Sequence, residues 1–159
     1  ARRGDFERRP LDLREVLVQA VEIASAAARL HAVSIDLETA PDPLPVNGDP
    51  VLLQQVVLNL LQNAITAMAN VENSRGPKRV NVIGARDDGK IRVSVTDSGP
   101  VVDDEVLANL FRPFFTTRDD GLGMGLAISK RLVEAHDGRI SARRAGAQGL
   151  VVSFELPST

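Results

Sequence analysis

One stretch leaves this chain little structural freedom. Asp49–Pro50 sets an N-cap followed by a proline in the first turn, and the pattern after it predicts a helix to about Asn70. At roughly 100° per residue, Gln55, Asn59, Gln62, Asn63, Thr66 and Asn70 fall within an arc of about 100°. Val56, Val57, Leu60, Leu61, Ala64, Ile65 and Met68 make up the opposite face. That apolar face demands a core. The other is unusual, because a solvated helix face favours Lys, Glu and Arg, whereas this one carries no charge. Carboxamides offer oxygen to a hard cation and N–H donors to phosphate without the desolvation cost of a full charge. Taken alone, the stripe also fits an idle amide-rich surface.

The rest of the chain supplies a core for that helix. Residues near Phe6–Leu11 read as an extended lead-in, and Asp12 caps a helix over about Leu13–Leu30 with Val16, Leu17, Ala20, Ile23, Ala24 and Ala27 on one face. Val33, Ile35 and Leu37 alternate with polar residues as a strand does, and Ala40–Gly48, with three prolines, reads as a loop. Strands are expected at Val80–Ala85 and Ile91–Thr96, joined by Asp87–Asp88–Gly89, and at Gly138–Arg143 and Leu150–Leu156. Helices are expected near Asp103–Asn109 and Met124–Ala135. Paired strands with short links imply a mixed sheet, hence a two-layer α/β sandwich in one domain.

Composition excludes several functions. The net charge of −2 argues against a nucleic-acid surface, and the absence of Cys removes thiolate metal sites. With no Trp or Tyr there is no aromatic platform for single-stranded bases. No apolar run is read as spanning a bilayer.

Three further blocks carry chemistry. Gly121–Leu122–Gly123–Met124–Gly125–Leu126 leads straight into a helix, so its backbone N–H groups and the helix terminus can cradle an anion. It is neither a Walker A loop nor a dinucleotide fingerprint, since no Gly–Lys–Ser/Thr follows and a third glycine would fall at Leu126. Asp97–Ser98–Gly99 ends a strand, where an acid can accept a hydrogen bond from a ligand amine. Phe111–Arg112–Pro113–Phe114–Phe115–Thr116–Thr117–Arg118 offers aromatics to clamp a loop, then hydroxyls and a cation within reach of phosphate. Each block also has a plain packing or turn explanation.

In this order and spacing, the four blocks resemble the N, G1, F and G2 boxes of the histidine-kinase branch of the GHKL ATPases, and Leu132–Ile140 is similar to that family's helix-to-strand junction. The resemblance runs from about Leu11 to Pro157. It implies a Bergerat fold, with a mixed sheet of about five strands covered on one face by about three helices, and it implies ATP and Mg²⁺ as cofactors. Asn63 would ligate Mg²⁺, Asn59 would support the phosphate end and Arg118 would be the cation for the γ-phosphate, the last two as catalytic residues. The nucleotide would touch Asn59, Asn63, Thr66, Asp97, Gly99, Val102, Thr117, Gly121, Leu122, Gly123, Met124, Gly125 and Leu126. The short Arg118–Asp119–Asp120 link resembles the short-lid kinases.

Two departures lie near the implied base site. Val101 stands where the family's second G1 glycine usually falls, and Val151 where a Thr is common. Neither His31 nor His136 has an acceptor-box pattern, and His136 reads as a packing or capping residue. The expected organisation is therefore a lead-in, residues 1–10, from an upstream dimerisation domain, followed by an ATP-binding domain over residues 11–159. The expected partners are that histidine phosphoacceptor domain and, through it, a response regulator. Neither nucleic acid nor a direct membrane contact is expected, and the chain itself is expected to be a cytoplasmic monomer, even where its parent is membrane-anchored. A degenerate nucleotide-sensing or docking module, suggested by Val101, and another GHKL ATPase stay open as alternatives. The chaperone and topoisomerase branches usually carry a catalytic Glu where this chain has Asn59.

Overall fold

The structure, a computed structural model, describes residues 6–69, 76–115 and 125–159. Among them the order is β1 (Arg9–Asp12), α1 (Leu13–Leu30), β2 (Val33–Thr39), β3 (Pro45–Gly48), α2 (Pro50–Ala69), β4 (Lys78–Asp87), β5 (Lys90–Asp97), α3 (Asp104–Asn109), α4 (Gly125–Ala135), β6 (Arg139–Arg144) and β7 (Leu150–Pro157). Two helices start where their caps predict: Asp12 accepts from the Arg14 N–H and Asp49 from the Val51 and Leu52 N–H groups.

Five strands form one sheet in the order β2-β4-β5-β7-β6, parallel between β2 and β4 and antiparallel elsewhere. The β4–β5 hairpin turns through Asp88 and Gly89, whose φ values of 49° and 76° are the paired positive angles of a tight hairpin turn. Strand alternation sends Val80, Val82, Ile91, Val93, Val95, Val152 and Phe154 into a single core with the apolar faces of α1, α2 and α4. No helix among the described residues covers the other face, where Arg92 and then Lys90 hold the Glu155 carboxyl below its ordinary range. The result is the expected two-layer sandwich, with α1, α2 and α4 as its helical layer and α3 a short extra turn.

Three readings of the sequence need correction. Pro45–Gly48, expected as loop, is strand β3, and it pairs antiparallel with β1 inside the stretch read as a lead-in. A two-stranded ladder is all edge, so Pro10 and Pro45 cost it little. On α1 the buried positions are Leu13, Val16, Leu17, Ala20, Ala24 and Ala28, whereas Ile23 is exposed, so the apolar stripe drifts off the predicted face. Helix α2 does reach the length and mean hydropathy, 1.3, of a bilayer span, but eight of its residues, from Leu53 to Met68, are buried in this core.

His136 ties three segments together and is only 1% exposed. Its Nε2 accepts the Asp49 N–H at 3.0 Å, which requires a neutral ring with the proton on Nδ1, 2.8 Å from the Leu132 carbonyl that accepts it. The Phe6 ring meets it edge-on with centroids 4.4 Å apart. Beside it Arg8 pairs with Asp137 at 3.0 Å, and the Glu7 N–H reaches Asp49 Oδ2 at 3.3 Å. The N-cap of α2, the end of α4 and residues 6–8 thus share one junction.

Burial, partly opposed by the Leu132 carbonyl, holds His136 below its ordinary value of 6.5. The unfolded chain therefore takes up a proton that the folded one refuses, and stability declines as pH falls through 6.5. Denaturant titrations at about pH 7.5 and about pH 5.5, either side of the unfolded value, should show that loss. In His136→Gln, which is less stable overall, the difference between the two pH values should shrink. Equal pH dependence in both proteins would refute this role.

Candidate functional site

Helix α2 and the end of β5 face a cleft of about 250 Å³. Asn63 and Ala67, one helical turn apart, form one wall. Asp97 and Leu150 contribute the ends of β5 and β7, and Pro100, Val101, Val102, Asp103 and Val106 complete the lining. A larger groove of about 1040 Å³ runs between Leu37–Pro45 and Ile83–Arg86, but it gathers none of the residues singled out from the sequence.

Asp97 is the buried polar group of the cleft, 6% exposed. Its Oδ1 accepts the Gly99 N–H at 2.9 Å and the Leu150 N–H at 3.2 Å, so two backbone donors orient the carboxylate. Gly99 leaves that carboxylate uncrowded, because a Cβ there would lie 3.0 Å from the same oxygen. Ser98 points away: its Oγ accepts the Arg79 N–H at 3.0 Å. The β6–β7 turn closes over this strand end. Gln148 Nε2 donates to the Ser98 carbonyl at 3.0 Å, and Gly149, at φ 86°, has the Asp97 carbonyl 2.2 Å from where a Cβ would sit. The opposite rim is fastened by Arg144, whose Nε donates to the Val102 carbonyl at 2.7 Å and whose Nη2 pairs with Asp104.

Of the residues expected to contact a ligand, Asn63, Asp97 and Val102 line this cleft, and Gly99 packs against Asp97. Asn63 makes no side-chain hydrogen bond among the described residues, whereas Thr66 turns its hydroxyl back to the Gln62 carbonyl at 2.8 Å. Asn59 lies on the α4 side, with Nδ2 3.2 Å from the Gly125 carbonyl. Leu126 is buried in the core, which leaves only its backbone to meet a ligand. A Cβ on Gly125 would approach nothing closer than Asn59 Cγ at 4.0 Å, so protein packing does not demand glycine there. Phe111 packs against the core, while Phe114 is 75% exposed. Thr117, Arg118, Gly121, Leu122, Gly123 and Met124 lie outside the described residues, as does Asn70.

The two departures look different in three dimensions. Among the described residues the non-glycine positive φ angles belong to Ala32, Asp88, Phe114 and Asp137. Val101 therefore holds a conformation that suits a β-branched residue, with its side chain 65% exposed at the cleft. Val151 does not face the cleft at all. The pleat turns it to the open side of the sheet, and Leu150 takes the cleft position. Ala67, Leu150 and Arg144 were missed from sequence. Ala67 had a signal, one turn beyond Asn63, but Arg144 had none.

Gly149→Ala tests how tightly the turn clamps Asp97. The positive φ and the carbonyl clash together should cost roughly 1–3 kcal/mol or more of stability in chemical denaturation, and more than Gly146→Ala, where φ is 148° but nothing lies within 4 Å of the new Cβ, so that backbone strain acts alone.

A family model described as "Histidine kinase-, DNA gyrase B-, and HSP90-like ATPase" matches residues 48–159. Sensor protein FixL of Bradyrhizobium diazoefficiens is 38% identical over 156 residues, which cover 98% of this chain and 30% of FixL. The catalytic domain of histidine kinase ThkA has a TM-score of 0.81 at 30% identity, over 96% of this chain and 97% of that one. ThkA has also been solved in complex with the response regulator protein TrrA. Full-length ShkA in complex with AMPPNP gives 0.82 at 30% identity, over 99% of this chain and 32% of ShkA. The chain spans 30% and 31% of the length of the curated relatives FixL and ZraS. With the amide helix and the buried strand-end acid meeting at one cleft, this chain belongs to the histidine kinase-, DNA gyrase B- and HSP90-like ATPase family, as a histidine-kinase catalytic domain.

Proposed function

We propose that this domain binds Mg²⁺-ATP between α2 and the glycine-rich segment and donates the γ-phosphoryl group to a histidine on a separate dimerisation and phosphoacceptor domain. That domain in turn serves a response regulator. The observation that carries the reading is that Asn63 and Asp97, from separate sequence blocks, line one cleft. ShkA was solved with AMPPNP and ThkA with a response regulator, which supports the same assignment here.

In this reading Asp97 accepts from the adenine amino group, held in place by the Gly99 and Leu150 N–H groups. Pro100, Val101, Val102, Val106 and Leu150 supply apolar walls for the flat base. Among the described residues no three His, Cys, Asp or Glu side chains cluster to hold a metal alone. Magnesium is commonly bound through one or two protein oxygens together with nucleotide phosphates, and the amide of Asn63, which makes no side-chain hydrogen bond among the described residues, fits that donor set. When bound, the cation would neutralise charge on the phosphates. Gly125 and the glycines before it would let backbone N–H groups approach the phosphates, with Thr117 and Arg118 at the γ-phosphate. Phosphoryl transfer needs mainly alignment and charge stabilisation, so these contacts suffice once the acceptor is presented.

Neither histidine of this chain is suited to accept the phosphoryl group. Both ring nitrogens of buried His136 are hydrogen-bonded, and the sequence around His31, at the end of α1, has no acceptor-box pattern. The acceptor therefore lies on another segment, and we place the domain in the cytoplasm, where ATP is available. The unstrained backbone at Val101 weakens the case for a degenerate site.

Calorimetry with Mg²⁺-ATP tests the reading. Asn63→Ala should weaken binding about tenfold or more, about 1.4 kcal/mol, mainly in its Mg²⁺-dependent part. Asp97→Asn should weaken ATP, ADP and adenosine alike. Mg²⁺-ATP binding by Asn63→Ala as tight as wild type would overturn the assignment.

A further inference from the structure

Helices α2 and α4 meet polar group to polar group at Asn59. Its Nδ2 donates to the Gly125 carbonyl and to Ser129 Oγ, both at 3.2 Å, while its Oδ1 accepts from Gln55 Nε2 at 2.8 Å. Ser129 is polar yet 0% exposed. Its own proton is committed, because Oγ donates to the Gly125 carbonyl at 2.9 Å, one turn back along α4. A serine bonded to its preceding turn is by itself an ordinary helical feature. The difference here is that the amide of a second helix arrives at the same two oxygens.

This arrangement selects one orientation of that amide. The Gly125 carbonyl only accepts, and Ser129 Oγ, its proton spent, also only accepts from this direction. Two acceptors side by side fit the NH₂ end of a carboxamide. Turned over, Asn59 would press Oδ1 against two oxygens with no proton between them, in a part-buried place where an unmade hydrogen bond is costly. The nitrogen therefore points to α4, and the oxygen points out to the exposed amide stripe, where Gln55, itself exposed, is a displaceable partner.

We propose that Ser129 is a positioning residue for the phosphate end of the site: it fixes the Asn59 amide so that an oxygen, not an N–H, is presented there. An oxygen serves a cation or its water and repels a bare phosphate, so the contribution of Asn59 is tied to Mg²⁺. This rests on the nucleotide reading above. Ser129 touches no ligand in this scheme and acts only through Asn59.

The test is calorimetry on the whole chain with ATP plus Mg²⁺ and with ATP plus EDTA. Four proteins are compared: wild type, Ser129→Ala, Asn59→Ala and the double variant. Ser129→Ala should weaken Mg²⁺-ATP about three- to tenfold and leave EDTA-ATP within about twofold, and it should add no further loss in the Asn59→Ala background. Equal losses with and without Mg²⁺, or losses that multiply in the double variant, would reduce Ser129 to packing and overturn the proposal. Thermal melts of the variants identify any that fail to fold. A folded wild type that binds no nucleotide would instead sink the nucleotide reading, and this inference with it.

Discussion

The fold depends on a single constraint: α2 must bury one side and keep the other polar without charging it. Its inner face holds Leu53, Val56, Val57, Leu60, Leu61, Ala64, Ile65 and Met68, all buried. Burying each large aliphatic side chain is worth roughly 1.5–3 kcal/mol relative to exposure. A typical net hydrogen bond contributes only about 0.5–1.5 kcal/mol. The core therefore sets the rotation of α2, and the amides follow. Asn63 faces the cleft because Leu60, Ala64 and Met68 can face nowhere but inward, and the 3.6-residue period carries the remaining stripe with it.

That hierarchy explains which parts of the molecule were legible in sequence. Local signals were reliable: the Asp12 and Asp49 caps, the Asp88–Gly89 turn and the two faces of α2 each depend on residues within about one turn of one another. Signals that depend on tertiary pairing were not. Strand β3 was hidden by Pro45 and the two prolines just before it, because only its pairing with β1 makes it a strand. The choice between Leu150 and Val151 at the cleft turns on a one-residue shift in pleat, which no alternation resolves when Leu150, Val151 and Val152 are all apolar and all buried. The Arg144 tether to Val102 spans two elements far apart in the chain and leaves no periodic trace.

The same reasoning recasts the departures from the family pattern. From sequence, Val101 suggested a degenerate nucleotide-sensing or docking module. In the structure that position is not among the positive-φ residues, so the valine meets no backbone conflict there. With Val102, Val106, Pro100 and Leu150, Val101 makes the lining more apolar around one oriented carboxylate. A mostly apolar pocket with few well-placed polar groups is how small planar ligands are generally held. In the proposed reading, Val101 therefore adds apolar wall beside the base without a backbone conflict.

Helices α2 and α4 are joined at two places of different character. At one end the Asp49 N–H meets buried His136, with Phe6 against the ring and Arg8 on Asp137. At the other, Asn59 meets Gly125 and Ser129. Helix α4 is thus held to antiparallel α2 near both of its own ends, against the start and the middle of α2, and the close-packed interface makes the pair one unit. Residues 6–8 contact that unit at the His136 end, and the site's amides lie toward the other. Residues 6–8 are thus joined to the helix that carries Asn59 and Asn63 through the Glu7 N–H bond to the Asp49 cap and the packing of Phe6 on the buried, neutral imidazole that holds that cap, while Arg8 is fastened to Asp137 and the Asn47 carbonyl.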